Sequence, residues 1–414
     1  MKKLVFSLIF IGTIVYLLNY WGIITIFNKK DSFVYAEILE KINNKNIDVN
    51  SFTIYGKHMN LKGTLLDEKD YAFILKNNEV EIPTKLIIKD NKFALSDNIN
   101  DGLNLEKIPV GEYLMLLKSN EEYYSLINKT EYHDNTYYTF TKDFKNNLIT
   151  FSETSYKDQN YWLMKVSETK LPEEYYDIVI DPGHGGIDTG AGNGKYHESK
   201  YTLEYAKALY DALTEEGFKV KLTRDSDIQI ESYGLGSRTG IPYEVKAKLM
   251  LSIHLNSSAS TRQRGVEIYK AYNDNDQFAR ILADNIKNIA DIPYSNNPVY
   301  KVSDGIYMRV YSKNDIEKQK KDALKGGFEP YEIDDNTTYY YFIRETGGIM
   351  TKAFSDGRNP KKKANPYRQY NHGVENYLCE LAYISQKDDL SLILNKKDRF
   401  VKALKTSVLS YVNE

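Results

Sequence analysis

Three short apolar runs in the second half of the chain each end on ionisable residues, and this pattern constrains the fold more than any other feature. Asp177-Ile178-Val179-Ile180 leads into Asp181-Pro182-Gly183-His184-Gly185-Gly186. Leu249 to Ile253 leads into His254-Leu255-Asn256. Asn376 to Leu381 carries Glu380 near its end. Helical patterns lie between them. Leu203, Ala206, Leu209, Ala212 and Leu213 share one face before Gly217, and Phe278 to Ile289 is amphipathic. Phe218 to Leu222 reads as a further strand. Strands alternating with helices predict an α/β domain with a mostly parallel sheet flanked by helices. Such sheets bind ligands at the carboxyl ends of their strands, so His184, His254 and Glu380 are expected at one site.

Two histidines and a carboxylate with one open position suit a catalytic zinc ion, which polarises a carbonyl and lowers the pKa of bound water toward about 7. The single cysteine, Cys379, excludes an intramolecular disulfide and a Cys-based zinc finger. It alternates to the strand face opposite Glu380, as a buried apolar residue. A third ligand is needed. Glu198 stands just before the Tyr201–Leu213 helix, and its neighbour His197 is a rival. Adjacent residues rarely point the same way, so one ligand is expected from the pair. Asp181, Asp188 and Asn256 are candidates to hold the imidazoles by hydrogen bonds. Each piece alone has a plainer reading: the glycines make a tight turn, and His254 is a core histidine. Glu380 differs, because a carboxylate inside Tyr377–Ala382 is costly to bury without a partner.

The rest of the chain divides by texture. Leu4 to Phe27 carries no charge and would span about 36 Å as a helix at roughly 1.5 Å per residue. That is enough to cross a bilayer core, with Tyr20 and Trp21 at an interface. Residues 1–30 therefore read as a membrane anchor or, with Val34-Tyr35-Ala36 as a cleavage site, a signal segment. The expected location is a single-pass bacterial cell membrane protein with its catalytic domain outside, or a secreted one. Residues 31–172 read as a β-rich accessory domain. Asn77-Asn78, Asp90-Asn91 and Asn146-Asn147 are turn signals, and Phe140, Ile149, Phe151, Trp162, Met164 and Val166 are core candidates. Residues 173–414 form the α/β domain. Across all 414 residues, 55 Lys+Arg nearly balance 57 Asp+Glu, which excludes a generally basic nucleic-acid binder and an acidic disordered chain.

The motifs together resemble the zinc-dependent N-acetylmuramoyl-L-alanine amidases of the type 3 family. The resemblance rests on IVIDPGHGG (178–186), the Glu198 helix entry, VKLTRDSD (220–227), LSIHLNS (251–257), GVEIYKAY (265–272) and YLCELAYIS (377–385). It covers most of 178–412 and nothing of 1–172. It implies that His184, Glu198 and His254 bind Zn2+ and that Glu380 is the general base. Arg238 matches a family arginine. The implied partner is peptidoglycan, cut at the amide between N-acetylmuramic acid and L-alanine.

One departure stands out. The stretch from His254 to Glu380 is long, with extra polar, lysine-rich material within about 300–371. It reads either as a solvated surface insertion or as a lid or substrate wall beside the zinc. Tyr339-Tyr340-Tyr341-Phe342-Ile343 predicts a short strand there. Arg309 and Arg344, with Arg238 and Asn256, are candidate substrate contacts. A zinc peptidase cutting within the stem peptide and a catalytically silent wall-binding or regulatory protein are the competing readings.

Overall fold

The structure is a computed structural model that describes residues 36–95, 102–130, 136–272, 274–327, 330, 333–346 and 372–414. It contains two large sheets. The first, in the N-terminal half, is built around the long strand Ile42–Tyr55, which pairs antiparallel with His58–Thr64 and parallel with Glu122–Asn128. Its clearest hairpin joins Asn146–Tyr156 to Gln159–Thr169. Lys157 and Asp158 form the two-residue loop, both at positive φ (48° and 63°), which matches the twist of the flanking strands. Two of the expected turns fall where the sequence places them, at Asp90-Asn91 and at Asn77 to Val80. Asn146-Asn147 does not turn: the reversal lies earlier, at Asp143 and Phe144, and Asn146 is buried with its amide donating to the Thr139 carbonyl at 2.7 Å.

Ile149, Phe151, Trp162, Met164 and Val166 do fill the core of this sheet, where Phe52 packs edge-on against Phe151 and Trp162 at 4.9 and 5.1 Å. Phe140 leaves it. Its ring lies 6.4 Å from Phe218 and 6.2 Å from Tyr411, in the core of the second sheet. The two sheets are thus keyed together by an apolar side chain as well as by backbone: Ile54 and Tyr55 pair in parallel with His372 and Gly373.

The second sheet runs in the order Val220–Leu222, Ile178–Pro182, Leu249–Asn256, Glu375–Tyr383, Glu267–Tyr269, Ile306–Tyr307, Lys301–Ser303. The first four strands are parallel. Glu267–Tyr269 then runs antiparallel to Glu375–Tyr383, so the sheet is mixed, with most of its pairings parallel as expected. Period-two alternation sorts its side chains. Ile178, Ile180, Leu249, Leu251, Ile253, Tyr377 and Cys379 face the helices Glu198–Glu215, Gln277–Ala290 and Lys397–Asn413. Cys379 is buried there, its thiol pushed up by burial and by the Glu380 charge. Val179, Met250 and Leu378 face the other way, under Ile241, Tyr243, Phe342 and Ile343.

The described part of 300–371 is of two kinds. The helix Lys313–Lys325, capped by Ser312 and Asp315, buries no residue. Tyr341–Thr346 is a buried helix and not the expected strand, because Phe342 and Ile343 both turn inward and the Thr346 hydroxyl closes on the Phe342 carbonyl at 2.5 Å. Gly347-Gly348 and Lys361–Lys363 lie outside the described residues. So does Leu4–Phe27. Among the described residues no helix is long and apolar enough to cross a membrane, and the expected single-pass membrane location is not carried further.

Candidate metal centre

His184, Glu198 and His254 come together at the carboxyl ends of the parallel strands, with one ligand atom from each within 4.8 Å of the others. His184 follows Ile178–Pro182 in a left-handed conformation (φ 60°), an unfavourable backbone for a side chain with a Cβ and one held by the structure around it. Gly183 precedes it because a Cβ there would meet the His254 ring at 2.4 Å, and a Cβ on Gly190 would meet both Glu198 and the His184 ring at 2.6 Å. The glycine-rich segment therefore does more than turn: it lets backbone lie against two imidazoles.

Glu198 opens the helix Glu198–Glu215 and is buried. Its Oε2 lies 3.1 Å from His184 Nε2 and its Oε1 lies 3.0 Å from His254 Nδ1. The backbone N–H groups of Ala191 and Leu255 also donate to it, at 2.8 and 2.9 Å. Burial opposes ionisation, but the two histidines outweigh it and hold the carboxyl well below the usual carboxylate range. His184 is shifted the other way: burial lowers it, and the Glu198 and Asp188 carboxylates raise it above the ordinary value. Asp188 Oδ2 sits 2.8 Å from His184 Nδ1 and so fixes which ring nitrogen faces Glu198. His197, the rival of Glu198, is exposed and outside the group. Two imidazoles, a buried carboxylate and an oriented ring are the donor set that zinc takes in catalytic sites.

Glu380 stands beside His254 in register on the neighbouring strand. Its Oε2 is shut from solvent and has no hydrogen-bond partner among the described residues. Burial, then the charges of Glu198 and Glu267, push its carboxyl well above the usual range. Glu267, paired with Glu380 across the antiparallel edge, is treated differently. It accepts from Asn256 Nδ2 (2.9 Å), the Tyr269 hydroxyl (2.8 Å), the Ser295 hydroxyl (2.7 Å), Asn297 Nδ2 (3.3 Å) and the Tyr383 hydroxyl. An unsatisfied buried carboxylate oxygen next to an N/N/O donor cluster is a group waiting for a proton donor or a cation.

The expected substrate contacts fare differently. Arg238 is buried beneath the His184 loop, bonded to Asp181, to the Pro182 carbonyl at 2.8 Å and to the His184 carbonyl. Asp181 in turn accepts from the Thr223 and Ser252 hydroxyls at 2.6 and 2.7 Å. Arg238 is therefore spent on holding the loop, which corrects its reading as a substrate contact. Arg344 is likewise buried and engaged by Tyr311, the Tyr339 carbonyl and Glu345. The amide of Asn256 is taken by Glu267 and its Oδ1 by the Ser257 N–H at 2.7 Å. Arg309 is half-buried and keeps Nε without a hydrogen-bond partner among the described residues. Three contributors were not read from the sequence. Arg224 clamps the Pro182 and Gly183 carbonyls at 3.0 and 2.9 Å, Glu267 faces Glu380, and Phe342 stacks on His254 at 6.1 Å with planes 10° apart. Arg224, just past the Val220–Leu222 strand at the same sheet edge, is the one that its position could have flagged.

Residues 178–316 match the family model described as N-acetylmuramoyl-L-alanine amidase, which bears out the type 3 amidase resemblance over that segment. Glu380 lies beyond it. The chain is 35% identical over 130 residues to a germination-specific N-acetylmuramoyl-L-alanine amidase of Bacillus subtilis, covering 28% of this chain and 55% of the relative. It is 39% identical over 123 residues to "Probable cell wall amidase LytH" of Staphylococcus aureus, covering 29% of this chain and 38% of the relative. The match thus spans about half the length, or less, of these curated relatives. The solved catalytic domain of CwlV, N-acetylmuramoyl-L-alanine amidase of Bacillus (Paenibacillus) polymyxa var. colistinus, is 20% identical, with 57% of this chain and 98% of that one covered at a TM-score of 0.38.

Proposed function

We propose that this chain hydrolyses the amide between N-acetylmuramic acid and L-alanine in peptidoglycan, acting in the cell wall. The match of residues 178–316 to the amidase family supports the reaction class. The observation that carries the reading to particular residues is the juxtaposition of the His184–Glu198–His254 group with the orphaned Oε2 of Glu380. In this reading residues 173–414 are the catalytic domain and 31–172 an accessory domain.

His184, Glu198 and His254 would hold Zn2+, which supplies a Lewis acid for the scissile carbonyl and favours ionisation of water. The chain's own residues do the rest. Glu380 accepts a proton from the attacking water and returns it to the leaving L-alanine nitrogen, which cannot depart as an anion. Asp188 keeps the His184 ring in one orientation. Arg224 and Arg238 hold the carbonyls of 182–184 so that the loop does not collapse when the site is charged. The apolar face of Phe342 covers His254 and limits water at the back of the site.

The test uses the full chain, zinc and purified peptidoglycan, with products identified by mass spectrometry and a chelator-treated control. Intact stem peptides beginning at L-alanine, released only with metal, are the expected result. Cleavage within the stem would assign a peptidase instead. No product from folded, zinc-loaded protein would overturn the enzymatic reading.

A further inference from the structure

A row of aromatic rings leads away from His254. Phe342 stacks on His254, Tyr340 lies 6.3 Å from Phe342, and Tyr339 lies 6.0 Å from Tyr340, centroid to centroid. Tyr340 also packs edge-on against Tyr269 at 5.0 Å, and Tyr269 donates to Glu267 opposite Glu380. The row is anchored to the catalytic edge of the sheet, and Tyr339 and Tyr340 are half-exposed.

Arg309 closes the outer end. Its guanidinium carbon is 3.3 Å from the Tyr339 ring centroid, 5.0 Å from that of Tyr300 and 5.9 Å from that of Tyr340. The backbone holds it there, since the Tyr339 N–H donates to the Arg309 carbonyl at 2.8 Å and Val310 bridges to Thr338. Stacking fixes the plane of the guanidinium without itself using N–H donors, although the Tyr340 hydroxyl takes a hydrogen bond from it. Nε is buried and has no hydrogen-bond partner among the described residues, and none of their carboxylates makes an ion pair with Arg309. Arg224, Arg238 and Arg344 all have their nitrogens occupied by oxygens of the chain. Arg309 is a planar cation prepared on a ring platform: Asp315 is close enough to feel its charge, but no described carboxylate makes an ion pair with it.

We propose that Arg309 is a specificity-determining residue that binds a free carboxylate of the substrate's stem peptide, with Tyr339 and Tyr340 as the wall along which the peptide lies. The proposal rests on the amidase reading and adds to it a preference for acidic over amidated stems. A guanidinium held flat offers two parallel N–H groups to one carboxylate, and an amide at the same position returns only one acceptor oxygen.

The test compares two soluble substrates, an N-acetylmuramoyl peptide whose second residue carries a free carboxylate and the same peptide with that group as the amide. The zinc-loaded full chain, Arg309→Gln and Arg309→Lys are assayed for kcat and KM on both. Wild type should favour the acid in kcat/KM on the order of 10- to 100-fold, the range of one charged hydrogen-bonded contact. Arg309→Gln should bring that ratio close to one, with the loss mainly in KM because the contact is remote from the bond being cut. Arg309→Lys should keep part of the ratio, since it keeps the charge and loses the plane. A wild-type ratio of one, or a ratio that survives Arg309→Gln, would overturn the proposal, and so would an equal fall on both substrates, which would make Arg309 a prop for the rings. Cleavage of neither substrate by wild type would instead overturn the amidase reading itself.

Discussion

The strand Glu375–Tyr383 carries a carboxylate near each end, one buried and one half-buried, and the molecule treats the two in opposite ways. Glu375 sits at the seam between the two sheets, where it accepts from the Tyr377 hydroxyl at 2.7 Å and from the Tyr411 hydroxyl. Lys57 reaches across from the first sheet to the Tyr411 carbonyl, and Tyr55 donates to Asp274 at 3.2 Å beside it. Glu380, at the other end and on the other face, keeps one oxygen with no partner among the described residues. Glu375 is satisfied from inside the protein, whereas an oxygen left unsatisfied next to a metal-ligand cluster is open to a partner from outside. At the seam Glu375 is finished on folding, while Asp274 beside it keeps Oδ1 without a hydrogen-bond partner among the described residues. In the proposed reading the site is finished by a metal and a substrate.

The sharpest way to break this contrast is Glu380→Gln. At the site it should lower kcat by about 10²- to 10⁴-fold, the usual worth of a general acid–base group, with zinc content unchanged. Activity near wild type, measured on peptidoglycan with metal analysis alongside, would put Glu380 in the same structural class as Glu375. Chelation comes next. Removing zinc should abolish turnover, and adding it back at a hundredfold over Kd should raise stability by about 2.7 kcal/mol if the metal binds only the folded chain. Thermal melts with and without zinc report this, and the same melts on His254→Ala should lose the zinc response.

At the seam the effects move to stability. Gly56→Ala forces a Cβ to 2.2 Å from Glu375 Oε2 at a residue with φ 55°, and should cost about 1–3 kcal/mol in urea unfolding. Tyr411→Phe removes a donor to Glu375 and should cost about 1–3 kcal/mol, with kcat little changed. The smallest effect is the pH dependence. Burial raises the Glu375 carboxyl above its ordinary 4.5, against the pull of Tyr411, Tyr377 and Lys57. Asp274 is raised too, by burial and by the Glu375 charge. A carboxyl with a raised folded value binds more protons folded than unfolded in that interval. Its contribution is therefore full below the ordinary value and is lost as pH rises through the raised one. Stability should decline as pH rises from about 4.5 through the raised value, and Glu375→Gln should flatten that decline, as denaturant midpoints across pH would show.

The sequence carried the strands and helices of the second sheet to within a few residues, because apolar alternation and helical periodicity are local signals. It also located His184 and His254 correctly at strand ends, and the Glu380 position beside them, because parallel strands deliver their carboxyl ends to one edge. It failed where the decision was long-range. Phe140 has the pattern of its own sheet yet packs with Phe218 and Tyr411. Tyr339–Ile343 has strand composition, but its neighbours impose a helix that buries Phe342 against His254. The four candidate polar contacts looked alike in the chain, and only packing separated Arg238 and Arg344, whose nitrogens are spent inside, from Arg309, whose Nε has no partner among the described residues.

What the chain determines by itself is therefore the set of strands, the glycines that let backbone approach two imidazoles, and the residue types able to bind a metal. The tertiary structure decided which carboxylate is satisfied and which is left open. Burial and hydrogen-bond completion depend on residues far apart in sequence, such as Glu375 with Tyr411 and Lys57, and no local pattern encodes whether a buried oxygen will find its donor.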